Sequence, residues 1–123
     1  MRTHDPLPTP LPAILIVDDD APTLELYAGV LGRHYRVFVC SGHQDVLEIL
    51  SKESIHLVVL EPSVAGYDAW QLLEQIVKAY AVPVIVCSAL DERGSGMNAG
   101  ASAYLIKPVL PATLLKMVKS ILS

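Results

Sequence analysis

Charged residues are few in this sequence. Asp, Glu, Lys and Arg together make up 18% of its 123 residues, and nine basic side chains are scattered among thirteen acidic ones. Proteins that bind nucleic acid carry a clustered basic face that neutralises phosphates, so a scattered net charge of −4 argues against direct DNA binding by this chain. No apolar run approaches the ~20 residues that a membrane span needs, and no membrane role is expected. Residues 1–12 lack the basic start and apolar centre of a secretory signal, so a cytoplasmic location is expected. Cysteine is rare as well. Cys40 and Cys87 lie inside apolar runs, without a spacing that suggests metal or redox work, and read as buried reduced thiols.

What is plentiful is hydrophobic side chain, 52% of the sequence, which argues against disorder and suits strands buried on both faces. The length matches one ordinary domain with one core, and there is no internal repeat. Pro6, Pro8, Pro10 and Pro12 stand at alternate positions, so residues 1–12 read as an extended, proline-rich tail and residues 13–123 as the domain.

From Ala13 onward, short β-branched runs alternate with segments of helical period, the signature of a parallel sheet with helices on both faces. Strands are expected at 13–17, 35–40, 57–60, 82–87 and 103–106. Asp20 is expected to cap the first helix, with Pro22 in its first turn and Leu24, Tyr27, Val30 and Leu31 facing inward. Ser41 is expected to cap a second helix through Val46, Leu47 and Leu50, and Asp68 a third through Leu72, Leu73, Ile76 and Val77. Gly94, Gly96 and Gly100 crowd the next connection and predict a short or frayed fourth helix, each glycine costing ~1 kcal/mol inside a helix relative to alanine. Leu110, Leu114, Leu115, Val118, Ile121 and Leu122 mark a fifth. The histidines at 4, 34, 43 and 56 lack metal-ligand spacing and are expected in loops or on the surface, and Trp70 is expected to pack on a helix face.

In open parallel sheets, sites form outside the carboxyl ends of the strands. Polar residues stand at four of those ends: Asp18, Asp19 and Asp20 after the first strand, Glu61 after the third, Ser88 after the fourth and Lys107 after the fifth. Three adjacent carboxylates joined by a fourth repel one another unless a cation neutralises them, and magnesium suits carboxylate, carbonyl and water oxygens. The plainer reading of the aspartates is a helix cap at Asp20 and a solvated turn before it.

The runs Ile14-Leu15-Ile16-Val17-Asp18-Asp19-Asp20, Leu57-Val58-Val59-Leu60 before Glu61, Pro83 to Ala89 ending in Ser88-Ala89, Gly100-Ala101 and Tyr104-Leu105-Ile106-Lys107-Pro108, in that order, resemble the receiver domain of two-component response regulators. The likeness spans Ala13 to Leu122. It implies a three-layer α/β/α sandwich of flavodoxin-like (βα)5 type with parallel sheet order 2-1-3-4-5. It implies a signalling module rather than an enzyme, with a histidine kinase or another signalling protein as partner and a second copy of the chain left open. The metal would be held by Asp18, Asp19, the acceptor carboxylate and the backbone carbonyl of Ser63. Ser88 matches the switch hydroxyl, Tyr104 the aromatic that reorients on activation, Lys107 the phosphate-contacting lysine and Glu61 the phosphoacceptor aspartate.

Glu61 departs from that pattern. Its extra methylene moves the carboxylate by ~1.5 Å, about one carbon–carbon bond. Phosphoryl transfer depends on positioning, and ~1 Å of displacement can cost ~10²-fold in rate, so efficient phosphorylation is not expected. A longer carboxylate that reaches Lys107 would instead imitate part of the charge of a phosphorylated aspartate, with weak magnesium affinity retained. Ala65 and Ala69 stand where the family usually has proline and glycine, so the loop between Glu61 and Asp68 is expected to be non-standard. The glycines place the usual α4-β5-α5 switch surface in question, and Leu90, Val109 and the last helix are candidate interface residues. Competing readings are a conventional receiver phosphorylated at Glu61 or a neighbouring aspartate, a flavodoxin-like ligand binder, and a phosphatase using Asp18 and Asp20. Against the second, three aspartates would repel phosphate after the first strand; against the third, Pro22 stands where a small hydroxyl residue or valine should follow.

Overall fold

The computed structural model describes residues 10–64 and 68–123. Strands β1 (Ala13–Val17), β2 (Arg36–Cys40), β3 (Leu57–Leu60), β4 (Val84–Ser88) and β5 (Ala103–Ile106) pair in parallel in the order β2-β1-β3-β4-β5. Every residue of β1, β3 and β4 is buried, which is why their sequences run as uninterrupted aliphatics instead of alternating. Alternation survives in which face each side chain enters. Leu15 and Val17 join a core beneath α2 (Val46–Lys52) and α3 (Ala69–Gln75), while Ile14 and Ile16 join a core beneath α1 (Ala21–Leu31) and α5 (Pro111–Leu122). The three-layer sandwich and sheet order expected from the sequence are therefore present.

The helix starts follow local chemistry where a cap exists. The Asp20 carboxylate accepts the Thr23 N–H at 3.1 Å, and Asp68 accepts those of Trp70 and Gln71 at 3.0 and 3.3 Å. Ser41 does not cap α2. Gly42 is extended and opens a short 3₁₀ turn, His43–Asp45, that leads directly into the helix with no side-chain cap. That turn swings His43 into the interior: it lies in a connection between elements, as expected, but is buried there instead of on the surface. His34 and His56 are exposed as expected, although His56 Nδ1 accepts the N–H of Ala13 at 3.0 Å; His4 lies outside the described residues.

Other boundaries shift for identifiable reasons. β2 begins at Arg36, one residue late, because the Tyr35 N–H is held by the Leu31 carbonyl at the end of α1. β4 begins at Val84, two residues late. α3 widens into a π-helical stretch, Ile76–Tyr80, and ends on Ala81 in the left-handed conformation (φ 54°), after which Pro83 has no N–H to pair and offers only its carbonyl to Val58. The fourth helix, α4 (Arg93–Ala99), is short as expected, and Gly100 ends it at φ 112°, a conformation that favours glycine. Val109 is half-buried against the α1–α5 core, whereas Leu90 is exposed as expected. Of the proline-rich tail, residues 1–9 lie outside the described part. The carbonyls of Leu11 and Pro12 accept hydrogen bonds from Arg36, at Nε and N–H, so the last of those residues is tied to β2.

Candidate functional site at the carboxyl ends of the strands

Sheet order decides which strand-end residues can meet. β1 lies beside β3, so Asp18 and Glu61, each one residue past its strand, are neighbours; Lys107, one residue past β5, must cross the end of β4 to reach them. It does so. Lys107 Nζ donates to Asp18 Oδ2 and to Glu61 Oε1, both at 2.9 Å. Both carboxylates are buried, with 2% exposure for Asp18 and 5% for Glu61, so neither has bulk water to share its charge. Their remaining oxygens are also engaged. Asp18 Oδ1 accepts the Asp20 N–H at 2.9 Å, and Glu61 Oε2 accepts the Ser63 N–H at 3.0 Å. Burial by itself lowers the Lys107 pKa, but the hydrogen bonds from its ammonium to Asp18 and Glu61 outweigh it and raise the pKa above the ordinary lysine value.

The other site residues divide. Asp19 is exposed and Ser63 is exposed, on the rim of the buried pair. Asp20 is a helix cap, its pKa lowered chiefly by the hydrogen bond from the Thr23 hydroxyl. Ser88 is buried, and its Oγ accepts the Leu90 N–H at 3.1 Å. Tyr104 is turned toward α4. Its hydroxyl donates to the Leu90 carbonyl at 2.7 Å and accepts the Glu92 N–H at 3.1 Å, and its ring lies 6.5 Å from that of Trp70, centroid to centroid. Gly96 makes room for that ring: a Cβ there would stand 2.8 Å from Tyr104 Cδ2. Trp70 thus packs, as expected. A cavity of about 160 Å³ opens between Ser63, Asp68, Trp70, Ser88, Leu90 and Glu92, beside the buried pair. Ala69 is buried at the start of α3, while Ala65 lies outside the described residues.

Among the described residues, no three His, Cys, Asp or Glu side chains converge closely enough to hold a metal ion. The donor chemistry nevertheless fits a hard cation. Asp18, Asp19, Glu61 and the Ser63 carbonyl offer only oxygen, and the two buried carboxylates outnumber the one ammonium between them.

Sequence reasoning missed His43. It is 1% exposed, and its Nε2 lies 3.1 Å from the backbone carbonyl of Glu61. No spacing rule marks it, because its partner is a main-chain atom two strands away. Cys40 and Cys87 are buried thiols as expected, pushed up to about 11 and about 12 chiefly by burial.

The response regulator receiver domain family matches residues 14–119. The chain is 37% identical over 115 residues to the transcriptional activator protein PfeR of Pseudomonas aeruginosa, an alignment covering 90% of this chain and 38% of that protein. It is 32% identical over 111 residues to the transcriptional regulatory protein HprR of Escherichia coli, covering 87% of this chain and 50% of that one. It therefore spans half or less of the length of these relatives. Among solved structures, a CheY-like receiver domain protein from Methanospirillum hungatei superposes with a TM-score of 0.86 at 29% identity, covering 91% of this chain and 94% of that one. The match of motif, strand order and strand-end geometry is consistent throughout, and this chain belongs to the response regulator receiver domain family.

Proposed function

We propose that this receiver is an atypical one, a cytoplasmic interaction module that engages a partner signalling protein without needing phosphorylation, with Glu61 at the phosphoacceptor position partly imitating the phosphorylated state. The observation that carries the reading is the 2.9 Å contact between Glu61 Oε1 and Lys107 Nζ. It supports a carboxylate that already takes the lysine which, by resemblance, would contact the phosphoryl group. A carboxylate brings two oxygens and one charge where a phosphorylated aspartate brings about two charges, so the imitation is partial. Tyr104 is turned toward α4, and Ser88 bonds to Leu90 rather than to Glu61, which suits a site held in one arrangement.

Magnesium would be held by Asp18, Asp19, Glu61 and the Ser63 carbonyl, and would supply positive charge against incoming phosphate oxygens. The affinity is expected to be weak, since all four oxygens of Asp18 and Glu61 already accept hydrogen bonds. The test is intact-mass spectrometry after incubation with acetyl phosphate and magnesium, for the natural protein beside Glu61→Asp. An adduct on the variant alone supports a working site disabled by one methylene. An adduct on the natural protein overturns the proposal in favour of a conventional, phosphorylation-dependent receiver served by a histidine kinase. Absence from both would mean that the site is a relic whose loss goes beyond the acceptor.

A further inference from the structure

We infer that His43 is a positioning residue for the Glu61–Lys107 pair. β2 and β3 flank β1 in the sheet, so an imidazole from the turn after β2 that reaches the Glu61 carbonyl must pass across the carboxyl end of β1. The two peptide groups that flank the Glu61 Cα are then each held. The Glu61 N–H donates to the Val17 carbonyl of β1 at 2.9 Å, which continues the strand pairing by one residue, and its carbonyl accepts from His43 Nε2 at 3.1 Å. Holding the peptide group on each side of the Glu61 Cα fixes the direction in which its side chain leaves the backbone, and so places its carboxylate on Lys107 and the Ser63 N–H.

The contact also dictates a tautomer. A carbonyl only accepts, so Nε2 must carry a proton, and in the neutral ring that leaves Nδ1 as a bare acceptor. That atom is buried and finds no hydrogen-bond partner among the described residues. A core position filled merely for volume would take a leucine or phenylalanine at less cost than an imidazole with an idle lone pair. The one hydrogen bond that the His43 side chain makes among the described residues is with the acceptor-position backbone, and that is the reason the geometry gives for a histidine here.

The test separates this role from simple packing. ¹⁵N spectra of the natural protein read the tautomer directly. The glutamine amide nitrogen sits where Nε2 does, and the asparagine amide nitrogen where Nδ1 does. His43→Gln is therefore expected to leave the Glu61 carboxyl carbon and Lys107 ammonium signals in place, while His43→Asn and His43→Leu move both. Placed in a Glu61→Asp background, His43→Leu should slow phosphoryl adduct formation from acetyl phosphate about tenfold, with His43→Gln restoring most of the rate. An Nε2 without a proton in the natural protein, or unmoved Glu61 and Lys107 signals in both His43→Asn and His43→Leu, would overturn the assignment. The kinetic arm rests on the proposed function and the spectroscopic arm does not. A Glu61→Asp protein that takes no phosphate removes the former reading and leaves this one to be decided by the spectra.

Discussion

The two faces of the sheet are built differently. On one, α1 and α5 are regular helices of 11 and 12 residues over a core of Ile14, Ile16, Tyr27, Leu31, Ile85, Leu114 and Val118. On the other, α2 and α4 have seven residues each, α3 turns π-helical after seven and ends on a left-handed alanine, and α2 is entered through a 3₁₀ turn. The irregular face buries more side chains, yet it is also the one that carries His43, Trp70 and the glycine notch for Tyr104. Long helices propagate their own hydrogen bonds, whereas seven-residue ones depend on tertiary packing for nearly all their stability. Single contacts decide the conformation on the irregular side, and the regular side holds the sheet that aims the strand-end residues.

The largest effect belongs to neither face but to the seam where they meet. Lys107→Met leaves Asp18 and Glu61 buried beside each other with no counter-charge, and removal of one partner from a buried ion pair costs about 3 kcal/mol or more. Urea unfolding should register that loss, and adding Glu61→Gln, which discharges one of the two carboxylates, should recover part of it. If Lys107→Met is as stable as the natural protein, the carboxylates are better solvated than their burial implies.

Next comes Leu114→Ala in α5, a fully buried side chain on the regular face, expected to cost about 3 kcal/mol by urea unfolding. The comparison predicts that this loss appears as lower global stability with the Tyr104 contacts unchanged, because Leu114 belongs to one core and Trp70 and Tyr104 to the other. A change in the Trp70 emission of the folded variant would show that the faces are coupled more tightly than described.

The two cysteines sample one face each. Cys40 belongs to the irregular core and Cys87 to the regular one. If local opening is easier on the irregular face, a thiol reagent should label Cys40 about tenfold faster than Cys87 in the native protein, a difference of about 1.4 kcal/mol in opening free energy. Equal rates would mean that both open only by global unfolding. Both thiols titrate higher in the folded protein than in the unfolded one, about 11 for Cys40 and about 12 for Cys87, chiefly through burial. The unfolded chain therefore loses its thiol protons first as pH rises. The stability tied to them is complete below the ordinary thiol pKa of ~8.5 and drains away as pH climbs through the folded values.

A pair of identical changes in α4 tests the notch itself. Gly94 has open space where a Cβ would go, so Gly94→Ala should stabilise by about 0.5–1 kcal/mol through helix propensity alone. At Gly96 the same methyl would meet the Tyr104 ring at 2.8 and 3.0 Å and push it from its hydrogen bonds to Leu90 and Glu92. Gly96→Ala should therefore cost about 1 kcal/mol net of the propensity gain, and should move Trp70 fluorescence with it. Two stabilising changes would mean that the ring yields without loss.

Legibility in the sequence followed the locality of the contact rather than the face of the sheet. Ala13–Val17 and Leu57–Leu60 are readable because central parallel strands must be apolar throughout, and Asp20 and Asp68 because a cap bonds to residues two or three further along the same chain. Asp18, Glu61 and Lys107 could be read as converging because strand order and strand ends together place them. What could not be read depends on contacts distant in sequence. Ser41 looks like a cap until the interior demands His43, and Val82 looks like strand until the π-helical stretch delays the start of pairing. Gly96 counts against a helix by propensity and is kept there by a ring eight residues away.

The smallest expected effect is at Ala81. It is the one non-glycine residue with positive φ among the described residues, at φ 54° and ψ 36°, and it ends the π-helical stretch before β4. A left-handed conformation crowds the Cβ of an L-residue against its own carbonyl at a cost of roughly 1–2 kcal/mol. Ala81→Gly removes the crowding but gives the unfolded chain more freedom to lose, worth about 0.5–1 kcal/mol in the opposite sense. The net expectation is a stabilisation of about 0.5 kcal/mol, read as a small rise in Tm with the site unchanged. A loss instead would mean that the Ala81 methyl packs favourably enough to offset its strain, and that the irregular face is held at this turn by contact and not merely tolerated.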